Sequence, residues 1–415
     1  MSLFWIDDSR GLEISYKGLY EDLIKEGEGN VYIQYKNPYL VFVSLLRNLL
    51  SQKKSIILDA DFSTGELLTL GVSEEELLNS KYFQYNLSVD FKSLDEIFDL
   101  YNTKKEELEI EIFTSGTSGK PKKVNQNLVN IVRAVKVNPS FEKNIWGFAY
   151  NPTHFAGLQV FFQAFFNKNT LVYIFDSDYE IAYKMFRNYG ITHLSCTPTF
   201  MKMLIPYVSK SLENVSSLTF GGEKFDSNME SRITEKFPNA IIKNVYASTE
   251  AGSLLRTDGE FFVIPERYKL LIKIDNDELL INKELLGKSE SFILEGNWYR
   301  TGDLVQFIDH EKFKFLSRKS EMINVGGYKV NPSEVEDVIR KVEGVKDIVV
   351  FGRANSIMGN VIVANIIKEE GQENKQLKER IKKGAVLHLQ EFKIPRIINF
   401  VDSFELTRTG KIKKA

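Results

Sequence analysis

Between residues 145 and 220, short apolar runs alternate with helix-patterned segments, and no other feature constrains the fold as much. The candidate strands are 145–150, 170–175, 191–196 and 216–220, with helices between them. Strands separated by helices pair through crossovers, which makes a parallel sheet with helices on its faces. An earlier stretch repeats the pattern. Residues 31–35 (VYIQY) and 55–59 (SIILD) read as strands, and Pro38 opens an apolar-periodic helix that runs to about Ser51. The fold class is α/β. Residues 66–107 are acidic, mixed and read as helical. Residues 108–113 (LEIEIF) alternate strictly and read as a strand. A loop rich in Ser, Thr and Gly follows, then a helix bearing Leu128, Ile131, Val132 and Val135, capped by Asn125 or Asn127.

Residues 261–316 change to short β-rich runs with tight turns, which predicts a small β-subdomain. After Ser317 a new unit begins. Asn331-Pro332-Ser333-Glu334 places a capping Asn, a Pro at the first helical position and a Glu three residues past the cap. Val335, Val338, Ile339 and Val342 then share a face. Strands at 346–351 and 361–367, a helix at 374–390 and a strand at 396–401 complete a compact α+β domain. The expected division is 1–317 and 318–415, which suits a chain of 415 residues.

Composition narrows the function classes. Net charge is −2, so no global field draws the chain to nucleic acid or anionic membrane, and neither is an expected partner. Cys196 stands alone, which rules out an intrachain disulfide and fits a reducing compartment; it is expected to be a small buried residue. His154, His193, His310 and His388 show no metal-ligand spacing. The start, MSLFWIDDSR, has no apolar core of a signal peptide. The longest apolar run, Phe155 to Phe166, falls short of the ~20 residues a membrane span needs. A cytoplasmic location is expected.

Five motifs carry chemistry. The first is Thr114-Ser115-Gly116-Thr117-Ser118-Gly119-Lys120-Pro121-Lys122. Its glycines let several N–H groups converge on an anion, while the hydroxyls and Lys120 add donors and charge. It is not a Walker A loop, because the Gly–Lys spacing differs and Pro121 stands where Ser or Thr belongs. The others are Asn244-Val245-Tyr246-Ala247-Ser248-Thr249-Glu250, Tyr299-Arg300-Thr301-Gly302-Asp303-Leu304, the run Arg318 to Pro332 with its Gly326-Gly327 pair, and Thr407-Arg408-Thr409-Gly410-Lys411. Each alone is weak. Their order and spacing together are specific.

The set resembles the adenylate-forming superfamily of acyl-CoA synthetases, peptide-synthetase adenylation domains and luciferases, over residues 110–415. That resemblance implies a large N-terminal domain of stacked α/β subdomains with a small β-subdomain, then a small mobile α+β lid. It implies ATP-dependent activation of a carboxylic acid to an acyl-adenylate, with Mg²⁺, and transfer to a thiol of CoA or of a carrier protein's phosphopantetheine; the alternatives are an adenylating enzyme with a non-thiol acceptor and a non-catalytic nucleotide-binding protein. Thr114 to Lys120 would hold the β- and γ-phosphates. Gly221, Gly222 and Glu223 would pass along the adenine and Tyr246 would stack on it. Thr249 would bond the α-phosphate and Glu250 would hold Mg²⁺. Asp303 and Arg318 would take the ribose, and Lys411 would bridge the attacking carboxylate and the α-phosphate. Gly326 and Gly327 would line the thiol tunnel, with a hinge at Ser320. His154, in the run His154-Phe155-Ala156-Gly157-Leu158, would be the gate beside the acyl pocket.

Three departures stand out. Ala247 replaces a usual Gly and Ser320 a frequent Asp. The phosphate loop also begins as early as Thr114, which predicts a trimmed first subdomain. Members of the resembled family that activate amino acids carry an Asp near here to pair the substrate ammonium; none lies between Asn151 and Gln163, so the resemblance disfavours an α-amino acid. Phe155, Phe161 and Phe162 suit either an apolar acyl pocket or ordinary core.

Overall fold

The computed structural model describes residues 2–73, 77, 82–85, 91–114, 122–225, 229–309, 311–355 and 358–414. The chain divides into two compact units, residues 1–272 with 281–299, and residues 273–280 with 300–415.

The first unit holds two main sheets. Their strands in chain order are β1 (Leu3–Asp7), β2 (Leu12–Ser15), β3 (Tyr32–Ile33), β4 (Ser55–Ile57), β5 (Glu109–Thr114), β6 (Lys122–Asn127), β7 (Ile145–Phe148), β8 (Thr170–Tyr173), β9 (His193–Cys196), β10 (Ser217–Gly221), β11 (Ile241–Ser248) and β12 (Gly252–Thr257). The larger sheet runs β12-β11-β10-β9-β7-β8-β1-β2. Its inner pairings are parallel, and β12 and β2 close the two edges antiparallel. The smaller sheet runs β3-β4-β5-β6.

Helices Phe155–Phe166, Tyr179–Asn188, Pro198–Leu204 and Glu230–Lys236 make the crossovers from β7 to β11. The first packs with Trp5, Phe42 and Phe148, the second with Val172, Leu194 and Leu218, so both faces of the sheet are covered. Phe161 and Phe162 are fully buried, and Phe161 stacks on Phe42 with ring centroids 4.0 Å apart. These aromatics, with Phe155, are core of the fold. From β7 the chain adds β8 on one side and β9 on the other. The carboxyl ends of β7 and β9 therefore flank the switch point, where open α/β sheets place their ligands.

Local chemistry explains the elements that were legible. Asn37 accepts from Tyr39 N at 3.0 Å and Pro38 opens the helix, which ends at Leu50 before Ser51. The expected helix with an Asn125 or Asn127 cap needs correction. Residues Lys122–Asn127 form β6, antiparallel to β5, and the helix shrinks to Leu128–Ile131. The side chain of Asn127 makes no capping bond and donates instead to the Glu106 carbonyl. Pairing with β5 buries Val124 and Gln126 on alternate positions, a gain that local helix propensity does not match. The stretch 66–107 also mixes elements, with helices Thr64–Thr69 and Leu94–Lys104 and a strand Tyr82–Gln84.

In the second unit, β13 (Ile272–Asp275), β14 (Glu278–Asn282), β15 (Trp298–Phe307) and β16 (Lys312–Arg318) lie in the order β16-β15-β14-β13. A second sheet takes β17 (Ile323–Val325), β18 (Tyr328–Val330), β19 (Val345–Asn355), β20 (Gly359–Lys368) and β21 (Ile397–Phe400), with order β18-β17-β20-β19 and β21 parallel on β20. Helices Pro332–Arg340 and Asn374–His388 bury Val335, Ile339, Leu377 and Ile381 against it. Asn331 caps the first of them through Ser333 N at 3.0 Å, while Glu334 pairs with Lys393 at 2.7 Å.

Among the described residues no helix is long and apolar enough to cross a membrane.

Candidate functional site

In the first unit the motif residues gather at the carboxyl ends of the parallel strands. Gly221 ends β10, and Gly222 turns the chain with φ +83°. Glu223 then accepts from Thr199 N at 3.0 Å, at the start of helix Pro198–Leu204. Tyr246 lies in β11, whose pairing with β12 shifts register between Tyr246 and Ala247. A bulge at that point re-aims the side chains that follow, a device frequent beside active sites. Ala247 does not have a positive φ, so its Cβ meets no backbone penalty where a Gly was anticipated.

Thr249 and Glu250 occupy the turn between β11 and β12, and their backbone is held by a network invisible in the sequence. Gln126, fully buried on β6, donates from Nε2 to the carbonyls of Thr249 at 2.6 Å and Glu250 at 3.0 Å. Asn130 donates to Gln126 Oε1 at 2.9 Å, and Arg133 donates to Asn130 and to the Ala251 carbonyl at 2.8 Å. Gly287 N adds a bond of 2.8 Å to the Glu250 carbonyl. A Cβ on Gly287 would stand 2.6 Å from Gln126 Nε2, so glycine is required for this close approach.

Among the described residues no group of three or more His, Cys, Asp and Glu could cage a metal. Mg²⁺ needs no such cage, because one or two carboxylates with substrate phosphates and water suffice. Glu250 fits that demand. Its carboxylate is partly exposed and forms no ion pair among the described residues, while its backbone is pinned.

Strands β5 and β6 bring Thr114 opposite Lys122. The rest of the expected phosphate loop, Ser115, Gly116, Thr117, Ser118, Gly119 and Lys120, lies outside the described residues.

His154 follows β7 at the switch point and precedes helix Phe155–Phe166. Its Nε2 stands 3.3 Å from Asp59 Oδ2, a polar contact whose alignment falls short of a hydrogen bond. Asp59 is buried and also accepts from Asn151 Nδ2 at 3.2 Å and from Thr153 Oγ1. Burial pushes the Asp59 carboxyl up, but His154, Thr153 and Asn151 outweigh it and hold the pKa below the usual value.

In the second unit Asp303 is buried and pairs with Arg318 Nε at 3.0 Å, the two residues facing each other across β15 and β16. A second carboxylate, one that the sequence did not flag, fixes this turn. Glu278 Oε1 accepts from Gly302 N at 2.9 Å, and its Oε2 meets Arg300 at 3.2 Å and Lys319 at 3.6 Å. Thr301 Oγ1 donates to the Leu279 carbonyl and accepts from Asp303 N at 3.0 Å. Glu278→Ala leaves the Gly302 amide without its acceptor and removes one of two carboxylates from the half-buried Arg300 guanidinium, which keeps Asp275 at 3.1 Å, so unfolding stability should fall by about 1.5–3 kcal/mol in denaturant titration. A loss under ~1 kcal/mol would show that water replaces the carboxylate.

Ser320 sits in a short 3₁₀ turn, Lys319–Glu321. Gly326 and Gly327, at φ +57° and +89°, make the two-residue turn between β17 and β18. Two positive φ values in succession define a tight hairpin turn that favours glycine. Lys411 lies in a tail hairpin in which Thr407 N donates to the Lys411 carbonyl at 2.7 Å and Lys411 N to Thr407 Oγ1 at 3.2 Å.

The sequence model of the AMP-binding enzyme matches residues 43–270, and that of the AMP-binding enzyme C-terminal domain matches residues 334–411. A 2-succinylbenzoate–CoA ligase of Staphylococcus epidermidis is 25% identical over 343 residues, covering 76% of this chain and 70% of that one. The Listeria innocua enzyme of the same name is 26% identical, covering 87% and 77%. Among solved structures, the o-succinylbenzoate CoA synthetase of Bacillus subtilis with its acyl-adenylate intermediate superposes with a TM-score of 0.70 at 19% identity, covering 100% and 94%. ATP-bound MatB from Rhodopseudomonas palustris gives 0.73 at 15% identity, covering 100% and 94%.

Proposed function

The chain belongs to the AMP-binding enzyme family, and from that premise we propose that it is an adenylate-forming acid–CoA ligase. A carboxylate oxygen of the acid attacks the α-phosphorus of ATP, the bond to the β-phosphate breaks, and pyrophosphate leaves. The CoA thiolate then attacks the acyl carbon and AMP leaves. A setting that supplies ATP and CoA, such as the cytoplasm, suits this reaction.

The observation that carries the reading is the Thr249–Glu250 turn at the carboxyl end of β11, pinned through its carbonyls, with a carboxylate that forms no ion pair among the described residues. Bound there, Mg²⁺ would neutralise charge on the phosphates. Thr249 would donate to the α-phosphate, Tyr246 would stack on the adenine, and Gly221 to Glu223 would follow its edge. Thr114 and residues 115–120 would take the departing pyrophosphate. Asp303 would accept from the ribose hydroxyls, with Arg318 beside it, and Lys411 would bridge the two anions. Ser320 would be the hinge, and Gly326 and Gly327 would border the thiol's path.

The acid proposed is one without an α-ammonium. Helix Phe155–Phe166 carries no charged residue, and Asp59, the carboxylate that reaches the loop before it, is already taken by three partners. The test is pyrophosphate release from ATP and Mg²⁺ with a panel of aryl, fatty, dicarboxylic and amino acids, followed by addition of CoA. One responsive class, with AMP and an acyl-CoA formed once CoA is present, is the expected result. ATP binding without pyrophosphate release from any class would overturn the reading.

A further inference from the structure

Asp59 lies two residues past β4, in the smaller sheet of the first unit, yet its carboxylate serves the loop that follows β7 in the larger sheet. Burying an unpaired carboxylate costs several kcal/mol, so its partners define what it is for. Asn151 Nδ2 and Thr153 Oγ1 share Oδ1, and His154 Nε2 faces Oδ2 at 3.3 Å. The loop is stiffened from within. Thr153 N donates to Asn151 Oδ1 at 3.0 Å, and Thr153 Oγ1, whose proton goes to Asp59, lies 2.8 Å from the same atom. Gln34 Nε2 fixes the Asp59 carbonyl at 3.0 Å.

Two further observations separate this cluster from a plain tie between sheets. His154 is the N-cap of helix Phe155–Phe166 but makes no side-chain capping bond, so it does not stand there for the helix. Packing also passes from this loop to the catalytic turn. A Cβ on Gly157 would fall 2.3 Å from the Asn151 carbonyl, and the Phe155 ring tip lies 3.4 Å from where a Cβ on Gly252 would be, two residues past Glu250. A shift of the loop is therefore felt at the Thr249–Glu250 turn.

We propose that Asp59 is a positioning residue for His154: its carboxylate holds the buried Nε2 edge of the imidazole, fixes the ring at the switch point, and leaves Nδ1 as the nitrogen available to the substrate. The inference rests on the ligase reading and adds to it a residue outside the recognised motifs. A residue that works only through another shows its effect only while that other is present.

The test is a double-mutant cycle on pyrophosphate release at saturating ATP and acid, using Asp59→Asn and His154→Ala. Asp59→Asn should lower kcat by about tenfold, within the range of a lost orienting contact. The double variant should be no slower than His154→Ala alone. In the ¹⁵N spectrum of the imidazoles, Asp59→Asn should move the His154 ring signals and leave those of His193, His310 and His388 in place, which also reports an intact fold. If Asp59→Asn proves insoluble, Asp59→Ser, smaller and uncharged, repeats the cycle. Full activity in the Asp59 variant, or losses that multiply in the double variant, would overturn the proposal. A wild-type protein that releases no pyrophosphate would fail the ligase reading instead, and the two failures are distinct.

Discussion

Lys411→Ala is expected to slow pyrophosphate release by about 10²–10³-fold, the usual loss for one donor that acts in the transition state. The chemistry brings a carboxylate against an α-phosphate, two anions whose repulsion rises as the bond forms. A lysine ammonium between them stabilises the transition state more than either reactant, so its loss falls on kcat. The residue is carried on a tail hairpin closed by Thr407 N to the Lys411 carbonyl and by Gly410 N to the Thr407 carbonyl at 2.9 Å. Those bonds use backbone and the Thr407 hydroxyl, so the alanine variant keeps the hairpin. Transfer from a pre-made acyl-adenylate to CoA involves no second anion at phosphorus, and it should keep most of its rate. The measurement is single-turnover kinetics of the two half-reactions side by side. Equal losses in both would show that Lys411 holds the tail rather than the transition state.

What the sequence made legible, and what it hid, follows from how far apart the partners lie along the chain. Helix Pro38–Leu50 and the strands from Ile145 to Gly221 were readable because cap, apolar period and strand length are local signals. β6 was misread because its reason for being a strand is β5, across a loop, while Asn125, Asn127 and the apolar residues beyond them carry a helix-like pattern. The strands β1 and β2 were not read at all. Leu3–Asp7 is short, and it becomes a strand by pairing with Leu171 and Val172, far along the chain. The candidate site divides in the same way. Motif residues such as Tyr246, Thr249, Glu250 and Asp303 form recognisable strings. Asp59 follows β4, Gln126 lies among polar residues in β6 and Glu278 opens the apolar strand β14, and nothing local marks any of them. Their partners stand 92, 123 and 24 residues away in sequence, at Asn151, Thr249 and Gly302. One signal was available in retrospect. A lone polar residue at a buried strand position needs a partner, and its presence asks which one.

Glu250→Gln separates the two roles that the pinned turn could have. The substitution keeps the side-chain volume and removes the charge. Gln126 and Gly287 bind the carbonyl of residue 250 and not its side chain, so the turn and the melting temperature should stay as they are. A neutral amide is a far weaker partner for a hard divalent cation than a carboxylate is. Half-saturating Mg²⁺ should therefore rise at least tenfold, and pyrophosphate release at low Mg²⁺ should fall by about 10²-fold, with partial recovery as Mg²⁺ is raised. Thermal unfolding and Mg²⁺ titration of the initial rate, on the same preparation, decide the matter. An unchanged Mg²⁺ requirement with a lowered melting temperature would make Glu250 a structural residue and move the metal contact elsewhere. An unchanged melting temperature with a raised Mg²⁺ requirement would explain why a buried glutamine and an arginine, joined through an asparagine, are committed to the backbone of one turn: they hold in place a carboxylate that has no protein partner of its own among the described residues.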